Sequence, residues 1–189
     1  FAPHSVPRNA ILYDPPVVID YSGQNDGWSV GHDRFAKAMS DRKYPLYLYW
    51  GPFGHANNHE KIMKVNDLIN SFDWLGVKLN QAYPVFTNAS CNSKLPWPDN
   101  TKDKTSGQVN AFFRWKNLTD TSGKLTMSLF LASAKDLKTT FDIPKSATAD
   151  VSLRRIQDLK PKSGATVKWS FGDASGSVKP DATGLITIP

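Results

Sequence analysis

Thiol chemistry is nearly absent from this chain. Cys91 is its only cysteine. That excludes an internal disulfide and neither requires nor excludes an extracytoplasmic setting. Cys91 lies in a Ser/Asn-rich turn with no histidine nearby in sequence, so it reads as a small filler rather than a nucleophile. Long apolar runs are missing too, and no stretch is long enough to cross a bilayer as a helix. Charge is not segregated. The chain has 23 basic and 17 acidic side chains for a net +6, and its densest basic cluster, residues 160–168, reads as a solvated strand edge. A basic helix and an aromatic–basic platform are both lacking, which argues against nucleic acid as a partner. Internal repeats and low-complexity tracts are absent as well. The first residue is Phe1 and no signal-peptide pattern is present, so the chain is expected to be a processed, nicked or excised piece of something longer. Two glycosylation triplets, at Asn88 and Asn117, carry little weight because such triplets are common by chance.

What is present fits a globular protein. Hydrophobic residues make up 40% and aromatics 12% of 189 residues, enough for one domain or two small ones. The pattern changes near residues 74–83. Before it, Val17–Gly23 and Pro45–Trp50 read as strands. Phe35, Ala36, Ala38 and Met39 mark a helix over Asp33–Arg42, and Ile62, Val65, Leu68, Ile69 and Phe72 mark another over His59–Phe72. Strand–helix–strand–helix implies a right-handed parallel crossover. A polar, proline-bearing stretch follows, whose Tyr83, Phe86 and Trp97 suggest that it packs down. After it the helical period is lost. Strands are expected at Gly107–Trp115, Lys124–Ala132, Lys138–Ile143, Ala149–Leu159, Thr166–Phe171 and Leu185–Ile188, separated by Gly/Ser/Asp turns that include 173–176. That spacing suits an antiparallel sandwich. In it, Val151, Leu153 and Arg155 share a face, and one of Arg154 and Arg155 is expected to be held by a carboxylate.

Two residues stand where strand exits carry chemistry. Asp26 follows the first strand through Gly23-Gln24-Asn25, and His55 follows the second through Gly51-Pro52-Phe53-Gly54. Open α/β sheets place their sites at carboxyl ends of parallel strands. An acid beyond one strand and a histidine beyond the next is how a Ser-His-Asp triad presents its last two members. Taken singly, Asp26 reads as a turn or cap residue and His55 as a surface histidine; as a pair they favour chemistry. Gly27-Trp28-Ser29-Val30-Gly31 matches G-x-S-x-G literally, but the strand does not run directly into the turn as a nucleophile elbow requires. Its acid would also have to be Asp33 or Asp41. Ser29 is therefore read as a decoy, and Trp28 as a wall of the substrate cleft. A metal reading, with His55, His59 and either Glu60 or Asp26 as ligands, lacks the His-Glu-x-x-His spacing. No metal or other cofactor is expected. His4 and His32 read as ordinary turn or surface residues.

At Ser22-Gly23-Gln24-Asn25-Asp26-Gly27 and Gly51-Pro52-Phe53-Gly54-His55, residues 10–75 resemble the C-terminal end of an α/β-hydrolase domain. The flavour is that of the secreted serine esterase and prolyl-oligopeptidase-like group. Residues 83–90 and 151–157 are similar to strings in the β-sandwich appended to some such hydrolases. The resemblance implies an α/β plus all-β architecture: residues 1–75 as the βαβα end of a hydrolase sheet, 76–106 as a linker packed on the domains, and 107–189 as a sandwich.

It further implies a carboxylesterase-like serine hydrolase, secreted, periplasmic or on the cell surface, acting on an ester or peptide substrate. Asp26 and His55 would be catalytic, and the serine and oxyanion hole would come from elsewhere. Two parallel strands and two helices cannot cover both faces of a sheet, and the first strand would keep an open edge. Residues 1–75 are thus expected to need a partner, the N-terminal hydrolase part of the same precursor. Two rival readings stand beside this one. The first is a non-catalytic cell-surface or carbohydrate-binding module with Trp97, Trp115 and Trp169 as sugar platforms, although such aromatics are more often core. The second is an autonomous hydrolase using Ser29.

Overall fold

The computed structural model describes residues 15–55, 66–97, 105–138, 142–162 and 164–189. Strand β1 (Val18–Gly23) and strand β2 (Leu46–Gly51) pair in parallel, in register from Val18↔Leu46 to Gly23↔Gly51. Helix α1 (His32–Asp41) connects them. Alternation along the strands sends successive side chains to opposite faces. Val18, Leu46, Leu48 and Trp50 meet Phe35, Ala36 and Met39 of α1 on one face. Ile19 and Tyr47 join a cluster with Tyr83, Val85, Phe113 and Trp115 on the other. Each large side chain buried this way contributes about 1.5–3 kcal/mol. The second face of this small sheet is thus covered from within the chain, by Phe72, Trp74 and Val77 together with residues beyond position 82.

Strand β3 (Tyr83–Thr87) is buried at every position. Strand β4 (Gly107–Val109) pairs antiparallel with β2, so the first sheet runs β1–β2–β4. Gly107 has no substitute there, because a Cβ would stand 2.1 Å from the Trp50 ring. Among the described residues β1 has β2 as its only strand neighbour.

Strands β5 (Phe113–Asp120) and β6 (Leu125–Leu131) form an antiparallel pair whose register shifts between Lys116 and Thr119. A short helix, α2 (Ala134–Leu137), opens on a capping box in which Ser133 and Asp136 bond each other's backbone N–H. Strand β7 (Asp150–Arg154) sits between β3 and the last strand, β10 (Ile186–Ile188), in an antiparallel sheet. Strands β8 (Val167–Phe171) and β9 (Ala174–Val178) form a further two-stranded pair. The whole is a mixed fold with little helix and several antiparallel sheets around one parallel pair.

Several expectations change. The expected strand 107–115 is two strands that belong to different sheets, because Asn110 turns the chain at φ 57°. Its side-chain amide donates to the carbonyls of Leu46 and Phe86 at 3.0 Å, which holds the corner in place. The stretch read as a linker contributes β3, where Pro84 is tolerated because β3 lies at a sheet edge and needs no donor there. The turn expected at 173–176 is largely strand β9. The strand expected at 138–143 starts instead at the left-handed cap of α2, Lys138 at φ 45°, and residues 139–141 lie outside the described residues. Of the expected helix His59–Phe72, residues 66–70 are described and helical. Arg154, not Arg155, is the buried arginine of the pair, 9% exposed. Its guanidinium meets backbone carbonyls at the end of α1.

Candidate acid–histidine site

Parallel pairing brings the exits of β1 and β2 to the same end of the sheet, and the two loops are then fastened backbone to backbone. Gln24 N–H donates to the Gly51 carbonyl and Asn25 N–H to the Phe53 carbonyl, each at 2.9 Å. This closeness explains Gly23, whose Cβ would lie 2.7 Å from the Phe53 carbonyl oxygen. Tyr21 braces the junction, its ring 5.1 Å from those of both Tyr49 and Phe53. Burial pushes the Tyr21 hydroxyl pKa well above its ordinary value, with Tyr49 adding to the rise.

Within this frame His55 Nδ1 lies 3.0 Å from Asp26 Oδ2. The carboxylate side chain is 19% exposed and the imidazole 77%. A carboxylate only accepts, so the pairing assigns the proton to Nδ1 and leaves Nε2 as the basic nitrogen of the ring. An exposed imidazole oriented by a half-sheltered carboxylate is equipped to take a proton from a nucleophile and return it to a leaving group.

The other expected residues fall differently. Ser29 is 2% exposed. Its hydroxyl donates to the Asp26 carbonyl at 2.6 Å and accepts from the Trp97 indole N–H at 2.7 Å. A buried hydroxyl committed on both sides is a poor nucleophile, and Asp41, one of the acids it would need, pairs with Lys37 at 2.8 Å. The backbone of Trp28 belongs to a 3-10 turn, Gly27–Ser29, but its side chain lies outside what is described, as do His4, His59 and Glu60. Among the described residues no group of three His, Cys, Asp or Glu side chains is arranged to hold a metal ion. Cys91 is half-buried, and burial pushes its thiol pKa up. Trp97 and Trp115, weighed as sugar platforms, are 5% and 7% exposed.

His32 is not an ordinary turn residue. Its Nδ1 lies 2.7 Å from Ser22 Oγ and its Nε2 lies 3.7 Å from Asp20 Oδ2. The sequence held a signal for this. Asp20 and Ser22 put two polar side chains on the face of β1 that α1 covers, where alternation calls for apolar ones, and Gln24 follows in the same alternation just past the strand. Gln24 is fully buried and its Oε1 accepts from Thr105 N–H at 2.8 Å, which ties the acid loop to the start of β4.

Elsewhere, a cleft of about 250 Å³ lies between Phe72, Asp73, Tyr83 and Trp115. Nearby, Arg114 is 1% exposed and stacks over the Trp74 ring at 5.0 Å. Burial pulls its pKa down to about 10. Neither Asp26 nor His55 lines that cleft. No family model, curated protein or solved structure matches the chain.

Proposed function

We propose that this chain supplies the acid and the histidine of a serine hydrolase that works by esterase-like acyl transfer. One observation carries the reading: His55 Nδ1 and Asp26 Oδ2 stand 3.0 Å apart beyond the carboxyl ends of two parallel strands. In the proposed reaction His55 Nε2 takes the proton of a serine hydroxyl as its oxygen attacks the ester carbonyl. Asp26 stabilises the imidazolium, which passes the proton to the departing alcohol. Water, activated by the same nitrogen, then releases the acid.

The nucleophile is proposed to come from outside this chain, since Ser29 is buried and engaged. On this reading β1, α1 and β2 are the last βαβ portion of a hydrolase sheet, the open side of β1 takes a strand of the precursor's N-terminal part, and the later strands form an appended sandwich. A secreted, periplasmic or surface setting and an ester or peptide substrate belong to the same proposal. Among the described residues no helix is long and apolar enough to cross a membrane.

Native co-purification followed by fluorophosphonate labelling and intact-mass analysis tests the reading. A second polypeptide that co-purifies, carries the label, and loses it when this chain bears His55→Ala is the expected result. Label on Ser29, or no label and no second polypeptide, overturns it.

A further inference from the structure

Asp26 is held by more than its own loop. Its carbonyl accepts the Ser29 hydroxyl at 2.6 Å and the Ser29 N–H at 3.0 Å. The Ser29 hydroxyl in turn accepts the indole N–H of Trp97 at 2.7 Å, 68 residues away in sequence. Trp97 has little freedom to turn. It is 5% exposed, packed with Phe35, Met39 and Trp50, with its ring 5.3 Å from the His32 ring and 5.7 Å from the Trp50 ring. The tie from Trp97 through the Ser29 hydroxyl, at 2.7 and 2.6 Å, thus ends on the backbone carbonyl of Asp26, and the carboxylate of the same residue meets the exposed imidazole of His55 at 3.0 Å. An anchored carbonyl fixes where the Asp26 backbone stands, and with it the point from which the carboxylate reaches His55. The imidazole at the far end is mostly solvated, so its orientation depends on where the carboxylate is aimed.

We propose that Trp97 and Ser29 are positioning residues for Asp26, and that through it they hold His55 in the tautomer protonated on Nδ1. This rests on the acid–histidine reading above. It adds that Ser29 serves the pair as a relay, and that a residue beyond β3 sets the geometry of a site built on β1 and β2.

The test is the tautomer of the neutral His55 ring, read from long-range proton–nitrogen NMR of the full 189-residue chain at alkaline pH. The Nδ1-protonated form is expected to predominate. Trp97→Phe keeps an aromatic ring and removes the donor, and Ser29→Ala removes the relay. Each is expected to lower the ratio of Nδ1-protonated to Nε2-protonated ring about twofold, in the direction of Asp26→Asn but by less, because neither removes a hydrogen bond to the ring itself. Trp50→Phe, in the same cluster but outside the series, is expected to leave the ratio unchanged. If Trp97→Phe fails to fold by circular dichroism, Ser29→Ala decides. A ratio that responds to Asp26→Asn but to neither Trp97→Phe nor Ser29→Ala overturns the relay and leaves the pair standing. A ratio that ignores Asp26→Asn as well overturns the pair, and the proposed function with it.

Discussion

Arg154 Nε donates to the carbonyl of Lys43 at 2.8 Å, across 111 positions of sequence. Its Nη2 donates to the Arg42 carbonyl at 3.0 Å, and its guanidinium lies 5.1 Å from the centre of the Tyr44 ring. A helix end carries partial negative charge on its last carbonyls, so a cation from β7 both satisfies and neutralises the end of α1. Arg154→Met keeps the aliphatic stem and removes the donors. It is expected to cost about 1.5–3 kcal/mol, as charged hydrogen bonds do, and to lower the thermal midpoint by several degrees. A midpoint within error of the parent chain would remove this tie from the account of how the two sheets are joined.

Gly107 packs against Trp50 with no room for a methyl group, whereas a Cβ at Gly123 would meet nothing within 4 Å. Gly107→Ala is expected to destabilise by about 1–3 kcal/mol through overpacking and to change the emission of Trp50. Gly123→Ala is expected to stay within about 0.5 kcal/mol of the parent. Denaturant melts of the two variants side by side provide the check.

Alkaline stability follows from three tyrosines. Burial raises the pKa values of Tyr21, Tyr47 and Tyr49 in the folded chain above the ordinary 10.0. A group whose folded value is raised gives stability that is fully present below its unfolded value and is lost as pH rises toward the folded one. Folding is therefore expected to weaken once pH passes about 10. Arg114, pulled down to about 10 by burial, acts in the opposite sense, but as one group against three. Tyr47→Phe is expected to move the alkaline loss of circular dichroism to higher pH. A loss at the same pH as in the parent chain would contradict the assignment.

For the proposed chemistry, Asp26→Asn in the reconstituted hydrolase is expected to lower kcat by about 10⁴-fold, the cost of a wrong tautomer. The imidazole of His55 is mostly solvated, so His55→Ala is expected to abolish turnover with little change in thermal midpoint. Steady-state kinetics and melting curves on the same preparations separate loss of chemistry from loss of fold.

The elements around the site were legible because each is short, apolar and punctuated. The ends of the expected Val17–Gly23, Asp33–Arg42 and Pro45–Trp50 fall within one residue of those of the strands and helix that form. Asp26 and His55 were singled out from strand exits alone, and the structure brings them together. What escaped was tertiary in origin. The left-handed conformation of Asn110 is held by its side-chain amide donating to carbonyls of β2 and β3, which no local pattern reveals. Strand β9, Ala-Ser-Gly-Ser-Val, has small polar residues with little strand preference and forms by pairing with β8. The bond of Ser29 to Trp97 joins residues 68 apart and could not be read locally. His32 was passed over because its partners, Ser22 and Asp20, belong to a strand read as apolar.

The bond from Asn25 N–H to the Phe53 carbonyl also makes a clock. An amide exchanges its hydrogen with solvent only while its hydrogen bond is open, and this one opens only when the acid loop and the histidine loop part. The deuterium uptake of a single backbone position therefore counts how often the two halves of the pair separate, with no substrate, label or mutation needed.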